Sequence, residues 1–273
     1  MGSPATPVTG IPRALTIAGS DSGGGAGIQA DLKIFFALGC HGMSALTALT
    51  AQNTTTVAGV FEVTPEFVSL QIDTVARDIG VDAAKTGMLS SAPIVEAVAD
   101  SIRANRIEKL VVDPVFVSKH GDRLLDPAAV GALKNALFPL ATLITPNLFE
   151  AGGLLGREVA TLDDMERAAR DLHSLGPHAV LVKGGHHASE AEAVDVLFDG
   201  DRITHLSGPR YDTEDTHGTG CALSAAITAR LAHGDDLDAA VAFAKRFIGG
   251  AIKNSLRLGH GYGPVNPGWD LPL

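Results

Sequence analysis

The chain contains little cysteine, few aromatic residues and a deficit of positive charge. Its 273 residues include two cysteines, Cys40 and Cys221, so no disulfide framework is implied and a reducing cytoplasm is the expected location. Aromatic residues make up 5%, which leaves Ala, Val, Leu and Ile to fill most of the core. The formal net charge of −10 argues against a nucleic-acid or anionic-membrane partner. No apolar run approaches the length of a membrane span.

The domain organisation is expected to be simple. Residues 1–12 are rich in Pro, Thr and Gly and are predicted to form a flexible tail. Residues 13–273 show no linker, composition break or internal repeat. Because this length is ordinary for one α/β domain, a single domain is predicted.

Short apolar runs alternate with helical patterns from end to end. The expected strands are Ala14–Ala18, Ser44–Ala51, Ala83–Thr86, Leu110–Val112, Thr142–Ile144, Ala179–Val182 and the hairpin pair Ala193–Phe198 and Arg202–Leu206. The expected helices are Ile28–Leu38, Pro65–Ile79, Pro93–Ala104, Pro127–Leu137, Asp163–Leu175, Ala222–His233 and Leu237–Leu258. Near-continuous apolar strands separated by helices indicate an α/β fold, with a mostly parallel central sheet and helices on both faces.

Polar residues and glycines gather where the predicted strands end. In open α/β sheets the ligand lies beyond the carboxyl ends of the strands, so these positions are where a site is expected. The segments that follow the strands are Gly19-Ser20-Asp21, Gln52-Asn53, Lys85-Thr86-Gly87-Met88, Asp113-Pro114-Val115, Thr145-Pro146-Asn147 and Lys183-Gly184-Gly185-His186.

The segment Asp215-Thr216-His217-Gly218-Thr219-Gly220-Cys221 runs directly into an apolar pattern of helical period. Two glycines at a helix start let the backbone approach a ligand closely. The first N–H groups of a helix have no partner within it, and the helix dipole favours an anion there, most often phosphate. The segment is therefore a candidate for phosphoryl transfer, and a plain loop with a helix cap is the alternative.

Cys221 has two interpretations. Cysteine is commonly a small buried hydrophobe. At a helix N-terminus, however, the pKa of a thiol is expected to fall, and a thiolate is a competent base or nucleophile.

Three oxygen-bearing residues are candidate Mg²⁺ ligands. Asp113 follows one predicted strand, and Asn147 and Glu150 follow the next. Mg²⁺ prefers oxygen ligands and retains waters, so one or two carboxylates near phosphates suffice. Asn followed three residues later by Glu also fits a helix capping box, and the two interpretations have equal support.

Several familiar site types have little or no support in the sequence. The chain has no P-loop motif, no paired zinc-ligand spacing and no Gly-x-Ser-x-Gly elbow. The segment Gly25–Ala30 fits the dinucleotide-binding pattern, but no acidic residue lies between Asp31 and Glu62 to hold a ribose. The glycine cluster Gly23–Gly27 is therefore predicted to be a loop that approaches a substrate closely.

From about Ala14 to Val265 the chain resembles the hydroxymethylpyrimidine/phosphomethylpyrimidine kinases of thiamin biosynthesis, within the ribokinase-like superfamily. The motifs occur in the family's order and are specific when taken together. They are Ala18–Lys33, Thr47–Thr54, Ala84–Leu89, Val112–Val115, Thr145–Asn147, Val182–His186 and Thr216–Cys221.

The resemblance implies a three-layer ribokinase-like fold and an activity. ATP, with Mg²⁺, would phosphorylate the hydroxymethyl group of 4-amino-5-hydroxymethyl-2-methylpyrimidine and then convert the monophosphate to the diphosphate. The implied substrate-binding residues are Gln52, Asp31, Gly19, Thr50 and Met88. The implied anion hole is Gly218, Thr219, Gly220 and Cys221, with Cys221 as the base. The implied metal-site residues are Asp113, Asn147 and Glu150. The implied nucleotide-binding residues are Lys183, Thr216 and Lys245.

The residues themselves agree with part of this assignment and leave alternatives open. An amide such as that of Gln52 carries donors and an acceptor, which suits the edge of an aminopyrimidine. Pyridoxal kinase of the same superfamily is a second possible activity. A non-catalytic pyrimidine-binding protein is a third, because Cys221 stands where the superfamily usually has Asp. The resemblance also implies a homodimer. Segments 118–122 and 187–192 are candidates for closing over the site.

Overall fold

The computed structural model describes residues 10–116, 127–185 and 192–271. Two expectations therefore fall largely outside the described residues. Only residues 10–12 of the expected tail are described, and of the two candidate closing segments only Glu192 is.

Ten strands are present in the described residues. Their bounds are β1 Arg13–Ala18, β2 His41–Leu46, β3 Ala48–Gln52, β4 Val57–Glu62, β5 Ala83–Thr86, β6 Leu110–Val112, β7 Leu143–Ile144, β8 Val180–Lys183, β9 Glu192–Phe198 and β10 Ile203–Pro209. Eight of them form one sheet in the order β10-β9-β8-β7-β6-β5-β1-β2, and β3 and β4 form a separate ribbon. Within this sheet, the pairs β2-β1, β1-β5, β5-β6, β6-β7 and β7-β8 are parallel. The pairs β8-β9 and β9-β10 are antiparallel. The predicted mostly parallel sheet is confirmed.

Helices cover both faces of this sheet, as predicted. Their bounds are α1 Gly27–Ala37, α2 Pro65–Asp78, α3 Ala92–Ala104, α4 Pro127–Ala132, α5 Leu148–Leu155, α6 Leu162–His173, α7 Thr219–Ala232 and α8 Leu237–Lys253. Buried side chains of α2 to α6 pack on one face, and those of α1, α7 and α8 pack on the other. No helix in the described ranges combines the length and apolarity needed to cross a bilayer.

The predicted strand Ser44–Ala51 is wrong as one element. The chain leaves the main sheet at Thr47, whose hydroxyl donates to the carbonyl of Met88 at 2.6 Å. β3 then pairs antiparallel with β4, a strand that the sequence patterns did not suggest. The change of sheet depends on tertiary contacts, and it places β3 beside the glycine cluster that follows β1.

Several helices differ from expectation in their bounds: α7 begins at Thr219 rather than at Ala222, and α6 ends at His173 rather than at Leu175. α8 ends at Lys253 rather than at Leu258, because Asn254 bonds back to the last turn and Leu256 pairs with Pro264. The predicted helix over 127–137 continues beyond α4 as a single π-type turn. α5 was not predicted as a helix, although its capping pattern was recognised.

A fully buried ion pair joins α1 to the centre of the sheet. Lys85 Nζ on β5 lies 3.0 Å from both carboxylate oxygens of Asp31, and Thr16 donates to the same carboxylate at 2.6 Å. Burial opposes the charge on Lys85, but the attraction of the Asp31 and Asp113 carboxylates outweighs it and raises the pKa of Lys85. Removing one partner would leave the other charge buried without compensation.

Lys85→Met is therefore expected to lower the free energy of unfolding by about 3–5 kcal/mol. Urea unfolding followed by circular dichroism measures the change. Adding Asp31→Leu to Lys85→Met should recover much of the loss, since no buried charge then remains at this pair. Lys253→Met, at an exposed position, is the matched control. A Lys85→Met protein as stable as the control would contradict this role.

Candidate functional site

A cavity of about 670 Å³ opens at the carboxyl edge of the sheet. This size suits a small-molecule site, and its position is the one expected for open α/β sheets. Most of the residues that the sequence singled out line this cavity. They are Gly19, Thr50, Gln52, Met88, Asp113, Asn147, Glu150, Lys183, Thr216, Gly218, Thr219, Gly220 and Cys221.

The N-terminus of α7 forms one wall of the cavity. Gly218 precedes the helix with a φ of +80°, and no side chain caps the first turn. A Cβ at Gly218 would lie 1.8 Å from the carbonyl oxygen of Gly25, so only glycine allows the two segments to meet. The backbone N–H groups of Gly220 and Cys221 belong to this first turn, where a helix has no internal acceptors to offer. The wall is thus suited to an anion.

Cys221 lies half-buried in this wall. Burial raises the pKa of the Cys221 thiol to about 11, against the opposing attraction of Lys85. The expectation that the helix N-terminus lowers this pKa is therefore wrong, because desolvation of the thiolate outweighs the favourable charges. The thiol is protonated at neutral pH.

A cluster of charged residues lies beside the α7 N-terminus. Lys183 Nζ is 2.8 Å from Asp113 Oδ1, and Thr145 donates to the same oxygen at 2.9 Å. Burial opposes both charges, but their mutual attraction raises the pKa of Lys183 and lowers that of Asp113. A Cβ at Gly220 would lie 3.2 Å from Lys183 Nζ, so this ammonium is close to the anion-binding turn.

Asn147 and Glu150 form the capping box of α5. The Asn147 side chain accepts from the Glu150 N–H at 2.9 Å, and the Glu150 carboxylate accepts from the Asn147 N–H at 2.8 Å. The capping interpretation is confirmed. Burial, together with repulsion from Asp113, raises the pKa of Glu150 to about 7 although Lys183 opposes the shift.

The described residues contain no group of three or more His, Cys, Asp or Glu side chains arranged to hold a metal ion. Asp113 and Glu150 nevertheless line the same cavity and are both buried. Two carboxylates, completed by water and phosphate oxygens, are a donor set that fits Mg²⁺.

Comparisons with known proteins agree with this site. A family model described as phosphomethylpyrimidine kinase matches residues 21–266. The chain belongs to this family. The hydroxymethylpyrimidine/phosphomethylpyrimidine kinase of Streptomyces coelicolor is 51% identical over 99% of each chain. The resemblance, the kinase function in thiamin biosynthesis and the ribokinase-like fold are thereby confirmed.

Two solved structures of similar proteins are pyridoxal kinases. That of Bacillus subtilis, an ADP complex, has a TM-score of 0.89 and 44% identity over 95% of this chain and 98% of its own. That of Staphylococcus aureus, in complex with AMP-PCP and pyridoxal, has a TM-score of 0.89 and 36% identity, covering 97% of this chain and 96% of its own.

Two predicted site residues of this kinase do not line the main cavity. Asp31 is fully buried behind its wall, where Lys85 and Thr16 occupy its carboxylate, so the expected substrate contact is not seen. Lys245 pairs with Asp195 at 2.7 Å in a neighbouring pocket of about 170 Å³. That pocket shares Thr219 and other residues with the main cavity, so Lys245 lies in the adjoining region.

Two buried polar residues of this kinase received no role from the sequence. The Asp21 carboxylate accepts backbone N–H groups from Gly23, Gly25 and Ala26 and lies 2.8 Å from His217 Nε2. An Asp placed two residues before a glycine cluster is a pattern typical of such a turn, and it could have identified Asp21. Nothing in the local pattern could have shown that His217 reaches it.

The raised pKa of Cys221 predicts slow modification at neutral pH. In a Cys40→Ser background, the rate of iodoacetamide alkylation should rise about tenfold per pH unit from about pH 7 to about pH 10, because the thiolate is the nucleophile. Mass spectrometry of quenched samples measures the rate. A Cys40→Ser/Cys221→Ser double variant corrects for other sites. Rapid alkylation that is independent of pH between about 6 and 8 would show that the thiol ionises readily.

Proposed function

We propose that this kinase transfers the γ-phosphoryl group of ATP to the hydroxymethyl of 4-amino-5-hydroxymethyl-2-methylpyrimidine, and then phosphorylates the monophosphate to the diphosphate. The observation that carries the proposal is that one cavity holds an amide suited to a ring edge and an uncapped helix N-terminus suited to phosphate. Gln52 and Cys221 mark these two regions. Phosphoryl transfer requires both in one space, because positioning and charge stabilisation supply most of the rate.

The pyrimidine would bind between the end of β1 and the ribbon formed by β3 and β4. Gly19 lets the Met88 side chain pack against the end of β1, since a Cβ at this position would lie 2.4 Å from the Met88 methyl carbon. Thr50 is fixed by hydrogen bonds to Ser20 at 2.8 and 3.0 Å, which holds β3 against the loop after β1. Gln52 on the same strand would then contact the ring edge.

The nucleotide would extend from the neighbouring pocket to the α7 N-terminus. That pocket is largely apolar, as a purine ring requires, and Lys245 and Asp195 lie at its side. Thr219 and Gly220 belong to both spaces, so a phosphate chain passing them reaches Lys183 and the first-turn N–H groups. Thr216 lines the same path.

Asp113 and Glu150 would hold Mg²⁺, and Asn147 would keep Glu150 in place through the capping box. When bound, the ion supplies positive charge to the phosphate oxygens as negative charge is redistributed in the transition state. Lys183 neutralises Asp113 in the free protein and would contribute charge to the same phosphates.

Cys221 would contact the hydroxyl that is phosphorylated. A thiol with a pKa of about 11 is a poor base at neutral pH. Because the transition state of phosphoryl transfer is loose, the attacking hydroxyl needs little deprotonation before it reacts. Cys221 would therefore mainly orient the hydroxyl, and a Cys221→Ala enzyme would retain part of the activity.

Purified protein with ATP, Mg²⁺ and the hydroxymethylpyrimidine should yield ADP, then the monophosphate and then the diphosphate. Mass analysis of a time course measures the products. EDTA should stop both steps, and added Mg²⁺ should restore them. Gln52→Ala should raise KM for the pyrimidine by roughly tenfold or more while changing KM for ATP little. Saturable pyrimidine binding without ATP consumption would instead identify a non-catalytic binding protein.

Pyridoxal phosphorylation is a second candidate activity. The structural similarity to the Staphylococcus aureus pyridoxal kinase, whose structure contains pyridoxal, favours its consideration. The ratio of kcat/KM for the two substrates decides between them. A higher kcat/KM for pyridoxal would identify pyridoxal, and not the hydroxymethylpyrimidine, as the preferred substrate.

We also propose that the protein is a homodimer joined through the ribbon of β3 and β4. Leu49 and Phe61 lie directly opposite each other on this ribbon and are 47% and 70% exposed. An apolar pair exposed to this degree on a two-stranded ribbon is typical of an interaction surface. A second copy would cover it.

Light scattering after size-exclusion chromatography should report a dimer for the wild type and a monomer for Leu49→Ser/Phe61→Ser. Phe36→Ser, which changes a residue 77% exposed on α1, is the matched control and should remain dimeric. A monomeric wild type at micromolar concentration would refute the proposal.

A further inference from the structure

His217 joins three parts of the cavity wall and takes no part in the transfer described above. It is 6% exposed, and its Nε2 lies 2.8 Å from Asp21 Oδ2 and 3.4 Å from Gln52 Nε2. Its ring packs against Gly25, where an added Cβ would lie 2.5 Å from Cδ2. Its backbone pairs with Gly263 at 3.0 Å and with Val265 at 3.2 Å. The ring is therefore held in one place.

The partners of Asp21 determine which atom of His217 carries a proton. Burial disfavours the charge on Asp21, but hydrogen bonds from His217 and from the backbone of Ala26 and Gly23 outweigh it, so the pKa of Asp21 is lowered. An ionised carboxylate only accepts hydrogen bonds. His217 Nε2 must therefore carry a hydrogen and donate it to Asp21.

This tautomer limits the orientation of the Gln52 amide. With a hydrogen on His217 Nε2, the NH₂ group of Gln52 cannot donate to that nitrogen, and two donors would face each other across 3.4 Å. The amide oxygen and nitrogen of glutamine exchange places on a half-turn, and the surrounding hydrogen bonds decide between the two. The oxygen is favoured beside His217, which turns the NH₂ group of Gln52 away from that ring, and Gln52 lines the cavity.

We propose that His217, held by Asp21, is a positioning residue that fixes the Gln52 amide with its NH₂ group towards the substrate. The site would then select a ring whose edge presents an unprotonated nitrogen as acceptor. A ring with carbon at that place would leave the buried NH₂ group unpaired. This inference rests on the proposed pyrimidine site and adds the element that determines its specificity.

A ratio of specificity constants tests the proposal. The two substrates are the hydroxymethylpyrimidine and its carbocyclic analogue, which keeps the amino, methyl and hydroxymethyl groups but replaces both ring nitrogens by C–H. Because both substrates compete for the same enzyme, the ratio of their kcat/KM values does not depend on how much of the protein is active. The wild type should favour the pyrimidine by at least roughly tenfold.

His217→Phe, which keeps a ring against Gly25 but lacks the N–H donor, should abolish most of this preference. Gln52→Ala should abolish this preference to a similar extent. The double variant should lose no more of the preference than either single variant does, because both changes remove the same interaction. His217→Gln, whose amide can donate to Asp21, should keep the preference within about threefold. KM for ATP should change little in all four proteins.

Two results would overturn the inference. One is a His217→Phe enzyme that keeps the wild-type preference while Gln52→Ala loses it. The other, which applies even if His217→Phe does not fold, is a Gln52→Glu enzyme that keeps the preference at about pH 8.5, since a carboxylate has no donor for a ring nitrogen. A wild-type protein that phosphorylates neither compound would instead defeat the proposed function itself.

Discussion

The contact between two glycine segments is the constraint on which the site depends. Gly218, in the left-handed region, lies so close to Gly25 that any side chain would separate the two segments. One segment follows β1 and adjoins the substrate region, and the other begins α7 and offers N–H groups to phosphate. Their contact places both regions in one cavity. The two glycines therefore set the shape of the cavity, and the polar and charged side chains of the site lie around them.

The rest of the fold keeps α7 in position at the centre of the sheet. Its buried residues include four alanines, Ala222, Ala225, Ala226 and Ala229, and these small side chains let the helix lie close to the strands. An acidic chain must bind phosphates through local positive charge, and here the sources are the uncapped helix turn and the Lys183 ammonium. The overall charge of −10 is thus compatible with an anion site.

The sequence was informative where chemistry follows from local pattern. Alternating apolar strands and helices predicted the parallel sheet, and the rule that ligands lie beyond its strand ends predicted that Gln52, Asp113 and Lys183 share one site. Tertiary contacts decided the remainder. The departure of β3 from the main sheet, the burial of Asp31 against Lys85 and the raised pKa of Cys221 all depend on neighbours distant in sequence. Local sequence pattern carries no information on desolvation, so it predicted the wrong direction for the pKa of the Cys221 thiol.

The central claim is that the first turn of α7 holds the phosphoryl group during transfer. A crystal structure with ADP, Mg²⁺, the hydroxymethylpyrimidine and aluminium fluoride, a mimic of the transferred group, tests it most directly. The account predicts that fluorine atoms of the mimic lie within hydrogen-bond distance, about 3 Å, of the backbone nitrogens of Gly220 and Cys221. A mimic bound in line between nucleotide and pyrimidine but held by other groups, with the α7 N-terminus facing only water, would contradict it.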